Sequence, residues 1–101
     1  MTFSDVCERR LVKHSQVAHA LRNALPIVVD EIISLATLQV ELWEKNSLCS
    51  KDYIVAWREL LKRPVEAACI LEERSSRADA LRQNSPFVAT VRKFQRLARA
   101  A

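Results

Sequence analysis

Glycine is missing from all 101 residues of the chain, and the six aromatic residues are three Phe, two Trp and one Tyr. Without glycine, nothing readily supplies the positive φ angles that tight hairpins and sheet corners need. A glycine-rich phosphate loop is excluded for the same reason. The three cysteines, Cys7, Cys49 and Cys69, are too few and too scattered for a disulfide framework and lack the paired spacing of a zinc site. They are expected to be reduced, small and half-buried. The longest apolar runs, such as Pro26 to Val29, are too short to span a bilayer. Near the N-terminus, Asp5 and Glu8 stand where a secretory signal would place basic and then apolar residues. These absences set the expectation of a cytoplasmic chain with no membrane partner.

Half of the residues are hydrophobic and 28% are charged, the balance of a globular chain rather than a disordered one. The length suits one domain, and residues 1–101 are expected to form a single all-helical domain. The net charge of +4 is unevenly held. Residues 51–101 carry eleven Lys and Arg against six acids, whereas residues 1–50 carry five against six.

With no strand pattern to set against them, the periodicities predict an all-α fold. The expected fold is a compact bundle of five to six helices, two long ones first and shorter ones after. A first helix is expected from about Asp5 to Asn23, with Ser4 as its cap and Asp5 and Glu8 in its first turn. Its stripe is Cys7, Leu11, His14, Ala18, Leu21 and Leu25. Pro26 suits the first position of a second helix running to about Asn46. This helix carries two adjacent stripes, Val28, Ile32, Leu35, Gln39, Leu42 and Val29, Ile33, Ala36, Val40, Trp43. Such a face belongs to a central helix, or to one that also meets a second subunit.

Ser50 is expected to cap a third helix with Tyr53, Ile54, Trp57, Leu60 and Leu61 inward. It should end at Arg63, because Pro64 disfavours helical geometry in the residue before it. A fourth helix is expected from Pro64 to Glu73 with Val65, Ala68, Cys69 and Leu71 inward. A short fifth, capped by Ser75 or Ser76, should run to about Gln83 on Ala78 and Leu81. Asn84 can end it, Ser85 can cap a last helix, and Pro86 can preset its first turn towards Ala100. Phe87, Val91, Phe94 and Leu97 or Ala98 would form the inner face of that last helix.

No constellation points to catalysis, a metal or a cofactor, so the chain is expected not to be an enzyme. His14 and His19, five residues apart, lie roughly 140° apart around a helix and cannot share a metal. His14 reads as a packed core histidine, and Trp43 and Trp57 as core anchors. Asp30 with Glu31 and Glu72 with Glu73 read as solvated surface. The basic tail is the ambiguous feature. Arg92, Lys93, Arg96 and Arg99 form an outer face that suits phosphate or an acidic protein surface, yet arginines at a helix C-terminus also complement its dipole. No aromatic residue interleaves with them, which weakens a single-strand reading.

From Trp57 to Phe87, "WRELLKRPVEAACILEERSSRADALRQNSPF" resembles a pattern in small bacterial antitoxin-like or regulatory proteins. Its parts are a tryptophan, paired leucines, a proline with an acid two later, Ser–x–Arg, and Leu–Arg–Gln–x–Ser–Pro–Phe. The upstream "HSQVAHALRNALPIVVDEIISLATLQVELW" fits the same proteins, so the resemblance runs from about His14 to Phe87. Two glycines of that pattern are replaced here, one by Arg63 before Pro64 and the other in the region of Val88 and Ala89. A separate DNA-binding segment often found in such proteins has no room in these residues.

The resemblance implies a non-enzymatic protein-interaction module. Its signature cluster is Arg77, Arg82, Gln83, Ser85 and Phe87, with Ser85 as cap, Phe87 in the core, and Arg82 or Gln83 holding the junction or reaching a partner. Two alternatives stand beside it. The first is a nucleic-acid-binding regulator using the basic tail. The second is a helical homodimer, since the long helices carry more apolar surface than a lean monomer needs.

Overall fold

The structure, a computed structural model, describes residues 5–100, the side chain of Ala100 excepted. Ser4, the expected cap of the first helix, lies outside the described residues. Among the described residues six helices follow in order: α1 (Asp5–Asn23), α2 (Pro26–Lys45), α3 (Lys51–Leu61), α4 (Pro64–Glu72), α5 (Ser76–Gln83) and α6 (Val88–Ala100). The fold is all-α, an arrangement of two long helices and four shorter ones. Its radius of gyration of 13.2 Å matches the roughly 13 Å expected of a compact chain of this length.

The helix boundaries have local causes. Pro26 and Pro64 each occupy the first turn of their helix, where a missing N–H costs nothing. Arg63 is held at φ −132°, ψ 82°, outside the helical region, as a residue before proline must be. Ser75 caps α5 by accepting a 3.1 Å hydrogen bond from the Ala78 N–H. Ser50 sits at the N-cap of α3 in an extended conformation, but its hydroxyl makes no capping bond.

The end of α2 shows how a chain without glycine makes a sharp stop. Ser47 takes the left-handed conformation, φ 54°, at the position after the C-cap Asn46. The Leu48 N–H then reaches back to the Trp43 carbonyl at 2.9 Å and the Ser47 N–H to the Glu44 carbonyl at 3.4 Å. This is a Schellman closure with serine where glycine is usual.

The core joins all six elements. Val17, Ala18 and Leu21 from α1 meet Ile32, Ala36 and Val40 from α2, and Ile54, Trp57 and Leu61 from α3. Ala67, Ala68, Ile70 and Leu71 from α4, Leu81 from α5, Phe87, and Val91 from α6 complete it. The Trp57 and Phe87 rings meet edge to face, 5.6 Å between centroids. Trp43 is half-buried against the same cluster.

Several inward expectations do not hold. Leu25 is exposed, because α1 ends at Asn23 and the chain turns there into α2. Val65 and Cys69 are exposed, since α4 turns Ala67, Ala68, Ile70 and Leu71 inward instead. Leu97 and Ala98 are exposed, whereas Thr90, one residue before Val91, is buried. The last helix starts at Val88 rather than Pro86. Phe87 is already fixed in the core and its carbonyl accepts from the Val91 N–H at 2.9 Å, so Ser85, Pro86 and Phe87 form a turn ahead of the helix.

Candidate functional site: a braced helix junction and an open helix face

The segment from Arg82 to Phe87 is anchored to three other helices. Arg82 is only 2% exposed, and its Nη1 donates to two main-chain carbonyls at the end of α4, Ile70 at 3.0 Å and Glu73 at 2.7 Å. These carbonyls have no intrahelical partner, so the guanidinium acts as a side-chain cap for α4. The Nε and Nη2 atoms of Arg82 are buried with no hydrogen-bond partner. Burial pushes the Arg82 pKa down, with Asp79 opposing the shift. Arginine nonetheless remains charged, because its ordinary pKa lies so far above neutrality.

Asn84 ends α5, and its carbonyl accepts from the Trp57 Nε1–H at 2.8 Å, which ties the junction to α3. Ser85, 3% exposed, faces His14 of α1 with 2.8 Å between Oγ and Nε2. The other histidine nitrogen, Nδ1, lies 2.8 Å from the Arg10 carbonyl. A carbonyl can only accept, so Nδ1 carries the proton and Nε2 accepts from the serine hydroxyl. The Ser85 oxygen in turn accepts from the Phe87 N–H at 3.0 Å. One chain of hydrogen bonds therefore runs from the Phe87 amide through Ser85 and His14 to α1. Burial, the first cause, lowers the His14 pKa, and the nearby Arg82, Arg10 and Lys13 charges act in the same direction; the bond to Arg10 opposes them.

A serine and a histidine at this distance have the spacing of a nucleophile and its base. Here both side chains are buried and the serine oxygen already accepts an amide, so the pair works as a brace. Beside it, Asp79 of α5 accepts from Arg10 Nη1 at 3.0 Å and from the Cys7 thiol at 3.2 Å. Farther out, Arg74 grips Glu8 with two 2.7 Å bonds. The Arg74 guanidinium holds the Glu8 carboxyl below its ordinary pKa, and Glu8 raises that of Arg74. Among the described residues no cluster of three His, Cys, Asp or Glu could hold a metal ion.

The five signature residues are thus divided. Arg82, Ser85 and Phe87 are interior, whereas Arg77 and Gln83 are exposed on α5. Arg92, Lys93, Arg96 and Arg99 all lie exposed on α6, and Lys93 pairs with Glu31 of α2 at 3.2 Å. Arg92, Arg96 and Arg99 form no ion pair among the described residues. Sequence reasoning did not single out Arg10, Asp79 or the Ser85 contact of His14. The single available signal was a histidine on the apolar stripe of α1.

The second feature is α2 itself. Burial cuts across the two expected stripes: Ile32 of the first and Ala36 and Val40 of the second are buried, while Val28, Leu35 and Leu42 of the first, with Leu38, remain 37 to 52% exposed. Ile27 at the start of the helix and Leu48 just past its end are more open still. Along the seam with α3, Arg58 makes a bidentate pair with Glu44 at 2.6 and 2.7 Å. No described helix is long and apolar enough to cross a membrane. Comparison of the chain with protein-family models, curated proteins and solved structures finds no match.

Proposed function

We propose that this chain is a non-enzymatic protein-interaction module, an antitoxin-like or small regulatory protein of the bacterial cytoplasm. The observation that carries the reading is the uncovered apolar face of α2, formed by Val28, Leu35, Leu38 and Leu42. Apolar side chains grouped on one helix face, rather than scattered, are typical of a surface that receives another protein. The junction supports the reading from the other side. Arg82, Asn84 and Ser85 brace α4, α3 and α1, which leaves Gln83 and Arg77 as the exposed members of the signature. The test is purification from the native host of the chain and of its Leu38→Glu variant. A stoichiometric protein, or a second copy, retained by the first and lost by the second is expected. Equal behaviour of the two would overturn the reading.

The exposed Arg92, Arg96 and Arg99 favour a second reading, contact with nucleic-acid phosphates through α6. It predicts binding that weakens steeply as salt rises. Affinity unchanged after Arg92, Lys93, Arg96 and Arg99 are all replaced by Gln would dispose of it.

A further inference from the structure

We infer that the occupant of the α2 face is a second copy of this chain, docked antiparallel about a two-fold axis through Leu38. The inference rests on the reading of α2 as a binding surface and names its partner.

The argument begins with register. Val28, Leu35 and Leu42 stand seven apart, and so do Glu31, Leu38 and Lys45, offset by three. These two rows are neighbouring heptad rows, the a and d positions of a helix–helix seam. All six residues are exposed, and the next row round the helix, Ile32 and Ala36, is already buried in the chain's own core. The seam is therefore rigidly presented and ready to pair.

Charge selects the partner and its direction. The row has an acid at one end, Glu31, a leucine in the middle and a base at the other end, Lys45. Glu31 and Lys45 are fourteen positions apart, about 21 Å along a helix, so they cannot meet within one chain. In a parallel pair each would face its own like charge, which is unfavourable. With the second helix reversed about Leu38, each Glu31 faces the partner's Lys45, Leu38 meets its own copy, and Leu35 packs on the partner's Leu42. The same reversal brings the exposed Ile27 towards the partner's Leu48. Such a sequence is complementary to itself, as a two-fold interface requires.

A single helix seam lies at the low end of interface sizes, about 1,200 Å² or less, so association is expected at micromolar concentration. Sedimentation equilibrium of the full chain across that range should show a mass rising to twice 11.5 kDa. Leu38→Glu, at a surface position, should remain monomeric with an unchanged helical circular-dichroism spectrum. Glu31→Lys and Lys45→Glu should each weaken the dimer several-fold, and the double exchange should restore most of the loss. Lys93→Gln, which removes only the intrachain contact to Glu31, should leave the dimer intact.

A monomer at several hundred micromolar would overturn the proposal, as would a dimer indifferent to Leu38→Glu or charge exchanges whose effects merely add. A monomer that loses a stoichiometric host protein on Leu38→Glu would overturn self-pairing while leaving α2 as a binding face. Loss of neither would remove both readings.

Discussion

His14 and Ser85, 71 positions apart in sequence, share a buried 2.8 Å hydrogen bond that links α1 to the turn before α6. Truncating the serine leaves two buried groups unsatisfied, the His14 Nε2 acceptor and the Phe87 N–H donor. Each orphan costs about 1–3 kcal/mol. Ser85→Ala is therefore expected to destabilise the fold by at least about 2 kcal/mol in urea denaturation. A change below 0.5 kcal/mol would mean the bond carries no net stability.

The same histidine makes stability depend on pH. Its folded pKa lies below the ordinary value of 6.5, chiefly through burial. Between the two pKa values the unfolded chain binds the proton and the folded chain does not, so stability rises with pH in that window. The His14 contribution is fully present above about pH 6.5 and is lost as pH falls towards the folded pKa. Thermal melts at pH 7.5 and 5.5 should show that loss, and it should be reduced in His14→Gln. An equal drop in both proteins would assign the pH effect to other groups.

Arg82→Ala should be more severe, about 3 kcal/mol or more, because the carbonyls of Ile70 and Glu73 lose their shared donor inside the protein. Both bonds come from one nitrogen, so an ammonium with three donors can meet both carbonyls. Arg82→Lys is therefore expected to recover much of the loss. Equal destabilisation by Ala and Lys in denaturant titrations would instead assign the stability to packing of the guanidinium plane.

Ser47 offers the opposite sign. A left-handed residue with a Cβ carries about 1–2 kcal/mol of conformational cost that glycine avoids, part of it offset by glycine's greater freedom when unfolded. Ser47→Gly should raise stability by about 0.5–1 kcal/mol, read as a higher denaturation midpoint with an unchanged m value. A lower midpoint would show that the Ser47 side chain has a role beyond the turn.

The elements were readable because their signals are local. Pro26 and Pro64 mark helix starts, Ser75 or Ser76 marks a cap, and the double stripe of α2 marks an apolar face wide enough for several neighbours or a second subunit, without saying which of its residues stay uncovered. Arg82 could be named as a residue that holds the junction or reaches a partner, but not as a buried donor to α4, for the opposite reason. In sequence it joins Arg74 and Arg77 in a basic run, and only the approach of the α4 carbonyls turns it inward. Ser85 could be read as a capping residue but not as the partner of His14, since that bond depends on α1 lying across the junction. The inner face of α4 was misassigned at Val65 and Cys69 because nine residues give only two and a half turns, and small alanines decide its close approach to α1.

The braces at the junction also set an order on the making of the protein. The bonds from α1 to α5 and to the following turn span 69 to 72 positions, so α1 can pack on α2 and α4 first and gains these braces only once Asp79 and Ser85 have been made. Bonds of that separation delay closure in an otherwise helical, locally connected fold. A nascent chain that has released only residues up to Gln83 lacks Phe87, the partner of Trp57, and Ser85, the partner of His14. Arrest-peptide measurements should accordingly register folding force only once Phe87 has cleared the ribosome tunnel.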